Sequence, residues 1–150
     1  MLSGCWINTG ERMQENISKS ETIKILRHYK ISPTTQRIEI AQILLSKHQH
    51  LSAEQVLASV NQDRAKVSKA TVYNTLGLFS RKGLVRELIV DSSKIFYDSN
   101  VRDHHHFLNV ETGELHDISP SDFEFSHLPH LPEGTVTDGI DVIIRVRTQS

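Results

Sequence analysis

Cysteine occurs once in the 150 residues, at Cys5, so the chain has no means of building a disulfide framework, and nothing in it points to export. Apolar runs are short: none approaches the roughly 18 residues a membrane-crossing helix needs. The opening Met1-Leu2-Ser3-Gly4-Cys5-Trp6 has no basic stretch followed by an apolar one, so no secretion signal is expected and a cytoplasmic location is. The H-E-x-x-H, phosphate-binding P-loop and G-x-S-x-G patterns are also missing, which removes the commonest motif-bearing hydrolases and nucleotide-using enzymes. What is present is an apolar fraction of 37%, enough for one or two small globular domains, and nine histidines.

The formal net charge of −1 conceals an asymmetry. Residues 1–97 carry 14 Lys and Arg against 8 Asp and Glu, whereas residues 98–150 carry 3 against 10. A basic first part suits phosphates and an acidic second part suits cations, although such swings also arise without a partner.

Residues 1–17 are polar and without periodicity, and are expected to form a flexible tail. Ser18-Lys19-Ser20-Glu21 reads as a capping box opening a helix that buries Ile23, Leu26 and Ile25. Ser32-Pro33 reads as a second helix start, with Ile38, Ala41 and Leu45 at helical spacing. Ser52-Ala53-Glu54-Gln55 is another capping box, followed by Val56, Leu57 and Val60. A fourth helix is expected from Ser68 to about Lys82, stopped by Gly83. Then the period changes to that of strands, at 84–90 and 94–97, with Asp91-Ser92-Ser93 as the turn. Short helices followed by a hairpin predict a winged helix over 18–97. A linker is expected near Asp98-Ser99-Asn100. The second domain, 98–150, is expected to hold strands at 104–109 and 115–118, a short helix from Ser119-Pro120 to about His127, a loop from Pro129 to Gly134, and a final strand at 140–146. The fold class is α+β: an N-terminal winged-helix domain plus a small C-terminal α/β domain.

The fourth helix carries the first functional signal. Val72, Leu76 and Phe79 fall on one arc, while Ala70, Asn74, Gly77 and Arg81 fall opposite, with Tyr73 at the edge. A slim face with hydrogen-bonding side chains is what a major groove admits. Ser68 and Thr71, at the helix N-terminus, suit phosphate oxygens, Tyr73 suits a thymine methyl, and Asn74 a base edge or phosphate. Lys69 and Arg81 add charge, Arg37 could hold the backbone from one side, and Arg86 and Lys94 in the hairpin from another. A solvated amphipathic helix without a ligand is the plain alternative.

At these residues a resemblance becomes specific. Ala70-Thr71-Val72-Tyr73-Asn74-Thr75-Leu76 with Gly83-Leu84-Val85 resembles the recognition helix and following strand of the ferric uptake regulator (Fur) family. His50-Leu51-Ser52-Ala53-Glu54, Ser32-Pro33-Thr34-Thr35-Gln36-Arg37 and Asp103-His104-His105-His106 resemble further motifs of that family, so that the likeness spans about residues 20–147. It implies a winged helix, a dimerisation domain, and a homodimer whose grip on A·T-rich inverted repeats in double-stranded DNA depends on a metal. Val-Tyr-Asn-Thr-Leu, Asp98-Ser99-Asn100, the three consecutive histidines and the ending at 140–147 resemble the iron response regulator (Irr) branch within it.

The resemblance further implies that His50, Asp98, His104, His106 and Asp117 are regulatory metal ligands. Strand geometry agrees: His104 and His106 are two residues apart, so both imidazoles leave one face, and Asp117 lies on the expected neighbouring strand. Three imidazoles and two carboxylates suit Fe(II), Mn(II) or Zn(II) better than a soft metal. An aspartate at 117 also resembles the family's peroxide-sensing branch, which would make His50 a site of oxidation. A second metal site at Asp103, His105 and Glu124 is a weaker implication, since Ile140 stands where relatives use a histidine; His127 or His130 could substitute. Relatives' tetrathiolate zinc is excluded, because Asn109 and Thr112 stand in place of the first cysteine pair and the C-terminus has none. Haem is a further implied ligand, through Cys5 and His104, His105 and His106, although the proline that follows the cysteine in haem-responsive members is missing.

The expected function is therefore an iron- or haem-responsive repressor, with a peroxide-sensing repressor as the neighbouring alternative. A zinc hydrolase would need three ligands, an open position and a general base. A metal-storage module would have no use for the 70–76 face.

Overall fold

The computed structural model describes residues 16–64 and 66–150, which divide into two compact units, one extending to Asn100 and the other running from Val101 to Ser150. The expected tail and Cys5 thus lie largely, and in the case of Cys5 wholly, outside the described residues.

In the first unit, helix α1 (Lys19–His28) begins at the expected box: the Ser18 hydroxyl accepts the Glu21 N–H, and the Glu21 carboxylate accepts the Ser18 N–H. It buries Leu26 and Thr22, with Ile23 and Ile25 packed at the margin. Helix α2 (Thr35–Leu45) starts two residues later than the Ser32-Pro33 reading. Ser32 and Pro33 form the approach, and the extended Thr34 caps the helix, its hydroxyl accepting the Arg37 N–H. Ile38, Ile40, Ala41 and Leu44 are buried, so Leu44 takes the core position expected of Leu45.

A strand that sequence reading does not show, β1 (His50–Ser52), runs directly into helix α3 (Ala53–Val60), whose Ser52–Gln55 capping box forms as expected. Helix α4 (Lys69–Arg81) is capped by Ser68, and Gly83 follows at φ +79, a conformation side-chain-bearing residues rarely adopt. Strands β2 (Arg86–Asp91) and β3 (Lys94–Asp98) make the hairpin, and the Asp91 carboxylate accepts the Ser93 N–H and hydroxyl across the turn. The sheet order is β1-β3-β2, antiparallel throughout. Val72, Leu76 and Phe79 are fully buried against Leu26, Ile40, Leu44 and Val56. Each such side chain contributes on the order of 1.5–3 kcal/mol on burial. Three helices and a three-stranded sheet with a β2–β3 wing around this core make a winged helix, preceded by α1.

In the second unit, β4 (His105–Asn109) is central, with β5 (Leu115–Ile118) antiparallel on one side and β6 (Ile143–Val146) parallel on the other. Gly113 turns the β4–β5 connection at φ +76. Two expectations are corrected here. The helix expected from Ser119 to His127 is only a 3₁₀ turn, Pro120–Asp122, after which Phe123 is extended; its ring turns onto His105, and that tertiary contact overrides continuation. The last strand begins at Ile143, not at 140.

Candidate metal centre and nucleic-acid face

Register decides which side chains meet. In the first unit His50 of β1 lies opposite Asp98 of β3, so the residue expected at the linker is the paired end of a strand. The Asp98 side chain is 1% exposed. Its Oδ2 stands 3.1 Å from His50 Nε2, while its Oδ1 stands 3.4 Å from His48 Nε2 and accepts the Asn100 N–H at 2.8 Å. A buried carboxylate needs such partners, because an uncompensated charge out of water is costly.

In the second unit His106 of β4 lies opposite Asp117 of β5. The two imidazoles that flank His105 leave the same face, as strand alternation requires. Their rings are 4.5 Å apart, with His104 Nε2 at 3.5 Å and His106 Nε2 at 3.3 Å from Asp117 Oδ1. His104 Nδ1 meets the Arg102 carbonyl at 2.5 Å. A carbonyl only accepts, so Nδ1 carries the proton, and in the neutral ring Nε2 presents its lone pair toward Asp117. A ring nitrogen fixed on a backbone carbonyl is the usual outer support of a metal-binding histidine. Within each unit the imidazole and carboxylate ligand atoms lie within 4.8 Å of one another, and the donors are nitrogen and oxygen only. Such a set fits a borderline-to-hard divalent cation.

His105 turns the other way. Its ring sits 4.9 Å from Phe123 and 5.6 Å from Phe125, and its Nδ1 accepts the Val142 N–H at 3.2 Å. Asp103 and Glu124 are exposed, and among the described residues these three are not drawn into a ligand cluster. The histidine triplet offers no common face either, since His105 opposes its neighbours, and all three are buried.

On α4, Asn74 and Arg81 are exposed, Lys69 places its ammonium 5.8 Å from the Tyr73 ring centroid, and Tyr73 is 40% exposed. Ser68 donates to the Thr71 hydroxyl at 2.9 Å while accepting its N–H. Arg37 donates to the Ser32 carbonyl at 3.0 Å. One contact has no counterpart in the sequence pattern: the Tyr73 hydroxyl donates to the Glu54 carboxylate at 2.5 Å, holding α4 to the start of α3. That bond is the main cause that lowers the Glu54 carboxyl below its ordinary range and raises the Tyr73 phenol above its own. No spacing rule links residues 54 and 73; only the packing of α3 on α4 does.

A model of the ferric uptake regulator family matches residues 27–129. The chain belongs to the ferric uptake regulator family. The Fur-family match covers the winged helix from the end of α1 through most of the second unit. Among curated relatives, a "Peroxide-responsive repressor PerR" of Staphylococcus aureus strain Mu50 is 34% identical over 98 residues, spanning 65% of this chain and 66% of that protein, just short of two thirds of it. Among solved structures, the ferric uptake regulator from Pseudomonas aeruginosa with manganese aligns at a TM-score of 0.63 and 23% identity, over 85% of this chain and 97% of the other. The Vibrio cholerae ferric uptake regulator aligns at 0.64 and 18% identity, over 84% and 98%. These likenesses support the α+β, winged-helix reading of the fold. They do not single out the iron response regulator branch that the sequence motifs resemble.

Proposed function

We propose that this chain is a metal-responsive transcription repressor that binds double-stranded DNA as a homodimer, with His50, Asp98, His104, His106 and Asp117 holding one regulatory divalent cation. The observation that carries the reading is the pairing of imidazole with carboxylate in each unit: His50 with Asp98, and His104 and His106 with Asp117. Neither half alone supplies the donors a five-coordinate site needs. A shared ion would tie the two units together and so bias how the reading helices meet a duplex, which is how a cation alters DNA affinity without touching DNA. Fe(II), Mn(II) and Zn(II) all suit the donor set.

The DNA reading rests on α4. Its buried arc leaves Ala70, Asn74 and Arg81 outward, with Lys69 at the N-terminus, in the more basic part of the chain. Ser68, Thr71 and Arg37 would serve phosphates; Tyr73 and Asn74 would serve bases in A·T-rich inverted repeats. The dimer reading rests on the second unit's sheet, where Phe107, Ile144 and Val146 are each more than a third exposed and share a face by register. Exposed apolar side chains grouped this way mark an interaction surface.

A second reading is favoured by the 34% identical peroxide-responsive relative and by the aspartate at 117. On that reading the same site holds Fe(II), and peroxide oxidises His50 or His104. Haem is the less supported signal, because the triplet offers no shared face and Cys5 lies outside the described residues.

Metal analysis of the purified protein, followed by gel shifts on its own promoter region with and without each cation, tests the proposal. His104→Ala with His106→Ala should abolish the metal response; loss of far-ultraviolet circular dichroism in that variant would assign the cluster a structural role instead. Tyr73→Ala should lose operator binding and keep metal, whereas a storage protein would be indifferent. A mass gain on His50 or His104 that requires both iron and peroxide would select the second reading.

A further inference from the structure

The two oxygens of Asp98 are not equivalent. Oδ2 faces His50 Nε2 at 3.1 Å; Oδ1 takes the Asn100 N–H at 2.8 Å and faces His48 Nε2 at 3.4 Å. His48 and His50 thus approach one carboxylate from different oxygens, and their rings are 5.9 Å apart and tilted by 53°. They also differ in exposure: the His48 side chain is 43% exposed and that of His50 11%. The mutually close donor atoms include those of His50 and Asp98 and not that of His48. His48 Nε2 stands against Oδ1, the oxygen that takes the Asn100 N–H.

We propose that His48 is a positioning residue of the cation site: together with the Asn100 N–H it pins Oδ1 of Asp98, leaving Oδ2 directed at the ion beside His50. This rests on the reading that His50 and Asp98 bind a divalent cation. A single hydrogen bond from Asn100 anchors one oxygen but leaves the carboxylate free to turn about that contact. A second contact on the same oxygen, from His48 Nε2 at 3.4 Å, restricts that turn. Carboxylate ligands are commonly held in this way by groups outside the coordination sphere, and loss of such a group lowers metal affinity by about 10–100-fold. His48 is half-exposed, so its removal leaves the core of the unit intact.

The test is Zn(II) affinity of the full-length protein by chelator competition, combined with the visible spectrum of the Co(II)-loaded form. His48→Ala should weaken Zn(II) binding by about 10–100-fold while the Co(II) bands keep their positions. His48→Gln, whose amide nitrogen reaches where the imidazole Nε2 does, should recover most of the affinity. Unchanged affinity in His48→Ala would overturn the proposal, and so would shifted Co(II) bands, which would make His48 a ligand. Should His48→Ala fold poorly by circular dichroism, His48→Gln decides alone: near-parental affinity with parental bands is the expected result, and displaced bands refute. His50→Ala and Asp98→Ala serve as the reference for the site itself. If they also keep parental affinity, the cation site is wrongly placed, which is a different failure from an inert His48.

Discussion

Lys69 is the sharpest probe of the DNA-binding proposal, because it is the first residue of α4 and its ammonium lies beside the Tyr73 ring at the end of the helix expected to enter the groove. A lysine on a phosphate displaces condensed counterions, and each contact adds about 0.9 to the steepness of log affinity against log salt. A two-fold dimer carries two copies, so Lys69→Ala should make the slope shallower by about 1.8. Between about 50 and 200 mM salt, a change of roughly 0.6 log units, the variant should lose about tenfold less affinity than the parent. Fluorescence anisotropy of a labelled operator duplex across a potassium chloride series measures both lines. Asn74→Ala is the uncharged control: it should lower affinity on the operator and leave the slope unchanged. Parallel lines for Lys69→Ala and the parent would refute placement of the α4 N-terminus on the phosphate backbone. A slope change of about half the expected size would mean that one protomer of the dimer, not both, engages the duplex.

Three further outcomes follow from the structure. The Tyr73 phenol should titrate above its ordinary value near 10, seen as the 295 nm absorbance lost in Tyr73→Phe, and Glu54→Gln should bring the transition back toward that value. The lowered Glu54 value contributes stability above the ordinary carboxylate range, lost as pH falls through the folded value; the raised Tyr73 value contributes below 10, lost as pH rises through the folded value, so the link is intact across neutral pH. Leu76→Ala should cost about 2–5 kcal/mol in urea unfolding, because its side chain is fully buried, whereas exposed Asn74→Ala should stay within about 0.5 kcal/mol. On the homodimer proposal, Phe107→Glu should yield monomer in sedimentation velocity while leaving circular dichroism unchanged, since Phe107 sits exposed on the sheet face beside Ile144.

The helices were legible because their ends carry chemistry. Ser18 and Ser52 are capping boxes, Ser68 is a cap and Gly83 a stop, and each acts within four residues of chain. The wing was legible for the same reason: Asp91 to Ser93 is a local turn between alternating runs. Where long-range packing decides, reading failed. Ser119-Pro120 has the composition of a helix start, but Phe123 and Phe125 turn to cover His105, and nothing near them in sequence announces that contact. Ser32 and Thr34 both carry a capping hydroxyl, and only the backbone separates them: Thr34 is the extended residue directly before Thr35.

The candidate site shows the same division at finer scale. His104, His106 and Asp117 sit on two adjacent strands joined by a short turn, so strand alternation alone brings their side chains to one face. His50 and Asp98 are 48 positions apart, and a ladder of three residue pairs brings them together. That ladder belongs to β1, whose last residue is also the cap of α3, so it is too short and too overlapped to be seen as a strand. The spacing of His48 and His50 repeats that of His104 and His106, a signal available from the sequence; without β1, nothing gave His48 a partner. Without β1 in view Asp98 reads as part of a linker, whereas it closes β3. The difference matters physically: a carboxylate in a linker would have to be ordered by the ion it binds, at an entropic cost, whereas a carboxylate in a sheet register, buried and held through Oδ1, is arranged before any ion arrives.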